Sequence, residues 1–150
     1  MQPQIQTLTA DELYERTRTE RSNRDLFTVK KIGGSEVKRL RYLCANEYRH
    51  EEHIVLSLGQ RIVGIGGVQV NPSDTKLLWI KHISVEDVHQ GKGYARLIME
   101  AIYAYAIQRG LIVSHGSFSA MGQRLKHIAT ELNERFPQAA SSAPFTDWLT

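Results

Sequence analysis

The stretch Ile83-Ser84-Val85-Glu86-Asp87-Val88-His89-Gln90-Gly91-Lys92-Gly93-Tyr94-Ala95-Arg96 joins a β-branched apolar run to a long amphipathic run through two glycines. It reads as a strand ending at Val85, a short loop, and a glycine-rich turn that opens a helix over Gln90–Arg109. Ala95, Ile98, Met99, Ile102 and Ala106 fall at helical spacing, and Gly110 ends the run. The first amides of a helix have no intrahelical partner, and the helix dipole is positive there. Gly91 and Gly93 carry no side chain to keep a ligand off those amides, so the turn is suited to a phosphate or diphosphate. Lys92 and Arg96 sit where a cation costs roughly 0.3–1 kcal/mol unless an anion is near. A plain turn with two glycines and incidental basic residues fits the same pattern.

Spacing narrows the anion. A phosphate-binding loop of the Gly-x-x-x-x-Gly-Lys-Ser/Thr type needs glycine before lysine, but Gly93 follows Lys92 and Glu86 stands at the first glycine position. A dinucleotide fingerprint needs a third glycine where Arg96 stands, and a strand leading straight into the glycines. Neither pattern fits.

Working upstream, Leu77–Val85 is a strand, and Asn71-Pro72-Ser73-Asp74 is a turn by composition. His53–Leu58 and Arg61–Val70, joined by Gly59-Gln60, form an antiparallel hairpin. Gly64, Gly66 and Gly67 inside the second run mark a bulge, or room for a ligand. Thr9-Ala10-Asp11-Glu12 is a capping box after a short strand at Ile5–Leu8, opening a helix to about Arg18. Ser35 is expected to cap a second helix, with Val37, Leu40 and Cys44 on one face; Cys44 then belongs to a core. Downstream, Leu111–His115 is a buried strand. Met121, Leu125, Ile128, Ala129, Leu132 and Phe136 form the stripe of another helix, stopped by Pro137. Phe145–Leu149 has the pattern of a terminal strand.

The chain has 150 residues, 41 % of them hydrophobic and 23 % charged, values that fit a single soluble domain over residues 1–150. One cysteine excludes an intramolecular disulfide and a tetrathiolate zinc site. His50-Glu51-Glu52-His53 misses the zinc spacing His-Glu-x-x-His, because position 54 is Ile54. No metal is expected. The first twenty residues lack the apolar region of a secretory signal, and no apolar run is long enough to cross a bilayer, so a cytoplasmic location without membrane partners is expected. Residues 1–50 hold ten Lys/Arg against seven Asp/Glu, which accounts for the net charge of +3. Arg16/Arg18/Arg21/Arg24 and Lys38/Arg39/Arg41 read as solvated helix faces. Without interleaved aromatics or zinc-finger spacing, nucleic acid is not an expected partner.

Gln90-Gly91-Lys92-Gly93-Tyr94-Ala95 resembles the diphosphate-binding motif Gln/Arg-x-x-Gly-x-Gly/Ala of the GCN5-related N-acetyltransferase (GNAT) family, with every fixed position filled. The element order is similar over roughly residues 5 to 136. The resemblance implies an α/β fold with a mixed, mostly antiparallel sheet. That sheet is splayed between Leu77–Val85 and Leu111–His115 and flanked by helices, with shortened C-terminal strands. It implies acetyl-CoA as co-substrate. Its diphosphate would sit on the amides of Gly91, Lys92, Gly93, Tyr94, Ala95 and Arg96 beside Gln90, and its pantetheine arm along the backbone of Ile83 and Val85. Ser119 stands where the family often has an Asn touching pantetheine. The reaction implied is direct attack of a neutral amine on the thioester, with a backbone N–H near Val85 as oxyanion donor.

Acid and base are less well matched. The strand before the motif offers Lys81 and His82, and strict alternation puts His82 on the face of Ile80 and Ser84. The usual Tyr acid is absent from Ser119–His127, where Lys126 takes its place and His127 is the adjacent candidate. His82 and His127 are therefore the catalytic candidates. The acceptor implied is an amine of a small molecule or protein; the basic first third disfavours polycationic acceptors. A homodimer is compatible with the sequence. The alternative is an acyl-CoA-binding or protein-binding effector module on the same fold without turnover.

Overall fold

The computed structural model describes residues 2–32, 35–40, 52–115 and 122–140. In chain order the elements are β1 (Pro3–Thr9), α1 (Ala10–Thr19), a 3-10 turn (Arg21–Leu26), β2 (Phe27–Ile32), β3 (Ser35–Leu40), β4 (Glu52–Leu58) and β5 (Arg61–Val70). There follow β6 (Leu77–Val85), a 3-10 turn (Asp87–His89), α2 (Tyr94–Gln108), β7 (Ile112–His115), α3 (Gly122–Arg135) and a last 3-10 turn at Pro137–Ala139. The main sheet has the order β1-β4-β5-β6-β7. Its first three pairings are antiparallel, and β6 with β7 is parallel. Among the described residues no helix is long and apolar enough to cross a membrane.

Local chemistry explains most of these elements. The Thr9 hydroxyl accepts from the Glu12 N–H at 3.1 Å while the Glu12 carboxylate accepts from the Thr9 N–H at 3.0 Å, the capping box expected for α1. Those bonds also lower the Glu12 pKa, that from the Thr9 backbone most. β4 and β5 are buried along most of their length because helices cover both faces of the sheet.

On one face, Ile54, Leu56, Val68, Leu78 and Ile80 pack with Ile98, Met99, Ile102 and Tyr103 of α2 and Leu125, Ala129 and Leu132 of α3. Each Leu, Ile, Val or Met among them contributes about 1.5–3 kcal/mol when fully buried. Leu13 of α1 and Val55, Ile62 and Ile65 are buried outside that cluster.

One expected element is different in kind. Ser35 begins strand β3, not a helix, and β3 pairs antiparallel with β2 from Phe27↔Leu40 to Ile32↔Ser35. The sequence between Ile32 and Ser35 is Gly33-Gly34, a two-residue hairpin signal with β-branched Ile32 and Val37 near it on either side, and it outweighs the helical spacing of Val37 and Leu40. Cys44 and Phe145–Leu149 lie outside the described residues, as does Met121. α2 starts at Tyr94 rather than Gln90, because Gly91 and Gly93 both take φ +80, a left-handed conformation that cannot continue the helix.

The glycines of β5 have two separate uses. A register shift between Gly67 and Val68 leaves Lys81 of β6 without an opposite residue, so the expected bulge is present. Gly64 and Gly66 instead make room for α2. A Cβ on Gly66 would lie 2.6 Å from Ile98 Cγ2, and one on Gly64 would lie 2.8 Å from Ile98 Cδ1. Gly66→Ala should therefore lower stability by about 1–3 kcal/mol in urea unfolding. Gly64→Ala should cost less, since Cδ1 can rotate away and the β-branched Cγ2 cannot. Equal costs, or a larger one at Gly64, would contradict this packing.

Candidate functional site

β6 is paired on both sides only over its first half. β7 pairs with Leu77–Ile80, so among the described residues Lys81–Val85 has a partner on the β5 side alone. The direction of its backbone groups follows from the register. The Glu86 N–H donates to the Val63 carbonyl at 2.9 Å, which puts that pair in a hydrogen-bonded rung. Rungs alternate in an antiparallel ladder, so Ser84 with Ile65 is the next such rung. Ile83 and Val85 then turn their N–H and C=O groups toward the open edge.

The strand leads into the turn through two clasps. Glu86 accepts from Arg61 Nε and Nη2, each at 2.8 Å, a bidentate ion pair. Gln90 folds back, its side-chain amide donating to the Val85 carbonyl at 3.1 Å and to Asp87 at 3.3 Å. Gln90 is thus a tether of the loop, and it occupies the one carbonyl of Val85 that faces the edge. Beyond it, Gly93 is the N-cap of α2 in the left-handed region with no side-chain cap, and the first turn holds no acidic residue. Leu97 N–H makes the first return bond, to the Gly93 carbonyl at 3.2 Å. The amides before Leu97 therefore lie ahead of the helical ladder. A Cβ at Gly91 or Gly93 would meet nothing within 4 Å, so the space over this turn is open.

The charged side chains are arranged otherwise than the sequence suggests. Arg96 is an intended anion partner by position, yet its guanidinium binds Glu100 at 3.3 Å and Glu131 of α3. It ties α2 to α3, and only its backbone N–H belongs to the turn. Glu131 holds the Arg96 pKa up, and Arg96 holds that of Glu131 down. Lys92 lies over the turn with Nζ 3.3 Å from His89 Nδ1, and Tyr94 packs its ring 6.1 Å from that of His89.

The catalytic candidates separate. The bulge at Lys81 breaks the alternation of β6: Ile80 joins the α2 face, and His82 lies on the opposite face with Ser84. There its ring stacks on the fully buried His53, centroids 5.7 Å apart, and its Nδ1 accepts from the Gly67 N–H at 3.2 Å. With Nδ1 accepting, a neutral ring carries its proton on Nε2. His127 is exposed on α3 beside half-buried Lys126. Ser119 lies outside the described residues. Sequence reading missed His53 and the Arg61–Glu86 pair, which come from separate strands and leave no local signature.

Comparison with known proteins gives the family and the fold. The profile of the Acetyltransferase (GNAT) family matches residues 11–118. No curated protein sequence matches the chain. Among solved structures, the ribosomal-protein-S18-alanine N-acetyltransferase from Escherichia coli superposes with a TM-score of 0.56 at 14 % identity, covering 87 % of this chain and 76 % of that one. The diaminobutyrate acetyltransferase from Paenibacillus lautus, in complex with L-2,4-diaminobutyric acid and coenzyme A, gives 0.57 at 14 % identity, covering 89 % and 76 %. An aminoglycoside acetyltransferase from an uncultured soil metagenomic sample gives 0.53 at 17 %, covering 85 % and 86 %. At these identities the likeness is one of fold.

The Arg96–Glu131 tie has a pH signature. A carboxylate whose folded pKa is lowered adds stability above its ordinary value, near 4.5, and loses it as pH falls through the lower folded value. Thermal unfolding of wild type and Glu131→Gln from about pH 7 to about pH 3 should show a gap that closes in acid. A gap constant through that range would mean the pair contributes nothing.

Proposed function

Because the chain belongs to the GNAT acetyltransferase family, we propose that it transfers an acetyl group from acetyl-CoA to an amine by direct attack on the thioester. The observation that carries this is the uncapped start of α2 set directly after the open edge of β6. The diphosphate of acetyl-CoA is bound by the amides of Gly91 to Arg96, where hydrogen bonds and helix dipole act together. The pantetheine arm runs along Ile83 and Val85, using the backbone groups that β7 leaves free. Because Gln90 occupies the Val85 carbonyl, the Val85 N–H is the group left for the arm or for the carbonyl oxygen that gains charge in the transition state.

The amine must shed a proton before or during attack. His82 accepts it only at Nδ1, at the cost of the bond from Gly67. That makes water beside the half-buried His82 the first acceptor. The leaving thiolate takes its proton from the α3 side, where Lys126 and His127 stand in place of a tyrosine. The acceptor is an amine of a small molecule or a protein; the excess of Lys/Arg in residues 1–50 favours one that is not polycationic.

The engaged Nδ1 of His82 and the lack of tyrosine in α3 favour a second reading, coenzyme A binding without turnover. Calorimetry with coenzyme A, alongside thiol release from acetyl-CoA over a panel of amines and peptides, separates the two. Binding with turnover supports the enzyme; binding without turnover on every acceptor supports the module.

Gly93→Val tests the site itself. It places a side chain over the amides, in space where a Cβ meets nothing. The fold should bear a backbone cost of about 1–2 kcal/mol, while loss of charge-assisted bonds should weaken coenzyme A binding by roughly tenfold to a hundredfold. Unchanged affinity in the folded variant would remove the diphosphate from this turn.

A further inference from the structure

We propose that Arg61 is a positioning residue of the coenzyme A site, acting through Glu86; the proposal rests on the coenzyme A reading above. Glu86 is the residue at which β6 becomes the loop. Its N–H is the last ladder contact, to the Val63 carbonyl at 2.9 Å, and its own carbonyl accepts from the His89 N–H at 2.8 Å to begin the 3-10 turn. Whatever fixes Glu86 fixes where the turn starts and how far α2's amides lie from the open edge. After Glu86 the loop has little packing of its own: Asp87, Val88 and Gln90 to Gly93 are all exposed, Val88 by 76 %.

Arg61 is built to supply that fix. It is the first residue of β5, and the backbone on either side of it is clasped by fully buried Asn23. Asn23 donates to the Gln60 carbonyl at 2.7 Å and accepts from the Ile62 N–H at 2.8 Å. Its guanidinium also donates to the Ser22 carbonyl, on the same 3-10 turn. The fork then grips both oxygens of Glu86, with side chains only 26 % and 19 % exposed. A planar bidentate pair restrains orientation as well as distance, which a lysine ammonium does not. The pair links the 3-10 turn after α1 to the start of the loop over a separation of 25 residues.

The test is calorimetric titration of full-length wild type, Arg61→Met, Arg61→Lys and Glu86→Gln with coenzyme A, below the unfolding transition of each. Hydrogen exchange of residues 86–96 is measured in parallel. Positioning predicts that Arg61→Met raises the Kd on the order of tenfold or more, that Arg61→Lys recovers only part of it, and that exchange quickens in that segment. Glu86→Gln separates geometry from charge. Removing a negative charge near an anion site would tighten binding if charge alone mattered, whereas loss of the grip weakens it. Glu86→Gln also carries the test if Arg61→Met does not fold. Wild-type Kd in folded Arg61→Met, or Glu86→Gln binding as tightly as wild type or tighter, overturns the proposal and leaves the coenzyme A reading intact. Absence of binding by wild type overturns that reading, and this one with it.

Discussion

Among the described residues β6 is held by β5 along its length and by β7 over only its first half, and the proposed coenzyme A site depends on that asymmetry. The antiparallel register with β5 decides which backbone groups are consumed and which are left, so Ile83 and Val85 face outward by necessity. A fully paired β6 would have no donors or acceptors to offer an extended ligand. A β6 unpaired on both sides would be too loosely held to offer them in a fixed direction. Among the described residues β7 pairs no further than Ile80, which combines rigidity from β5 with an edge that an extended ligand could use.

The same strand fixes the second half of the site through packing. α2 approaches the sheet closely because Gly64 and Gly66 have no Cβ where Ile98 sits. That docking sets the helix axis relative to β6, and α3 holds it from the other side through Arg96 with Glu131 and the buried Leu125, Ala129 and Leu132. The amides at the start of α2 are therefore located by contacts along the next turns of the helix, not by the exposed loop alone. In this member of the GNAT family, the glycines inside β5 matter to the site as much as those in the turn.

Features that arise from neighbouring residues were legible in the sequence. The Thr9–Glu12 box, the Gly59-Gln60 hairpin, the glycine turn and the stripe of α2 each depend on a spacing of a few residues. The reading failed where two local signals competed, or where the cause was distant. Ser35 looks like a helix cap until Gly33-Gly34 is weighed as a hairpin turn. Counting in twos puts His82 on the face of Ile80, and the extra residue Lys81 in β6 breaks the count. Proximity in sequence puts the Arg96 side chain at the turn, but Glu131, 35 residues away, engages its guanidinium. No pattern in one sequence marks that encounter, nor that of Arg61 with Glu86.

Those commitments bear on how the proposed site would attract a diphosphate. Arg96 is engaged by two carboxylates, and their charges offset its own at the turn. Lys92 stays exposed beside His89, where water and salt screen it. What remains unscreened is the fixed set of amides at the start of α2, whose partial charges need no side chain to be ordered. Attraction then rests on direction more than on net charge, since hydrogen-bond strength falls steeply with misalignment. The left-handed φ of Gly91 and Gly93 fits that proposal, because a Cβ at either would enter open space over the turn. A basic surface could gather phosphates of many kinds, whereas a few amides beside the open edge of β6 would favour a diphosphate with an extended arm attached.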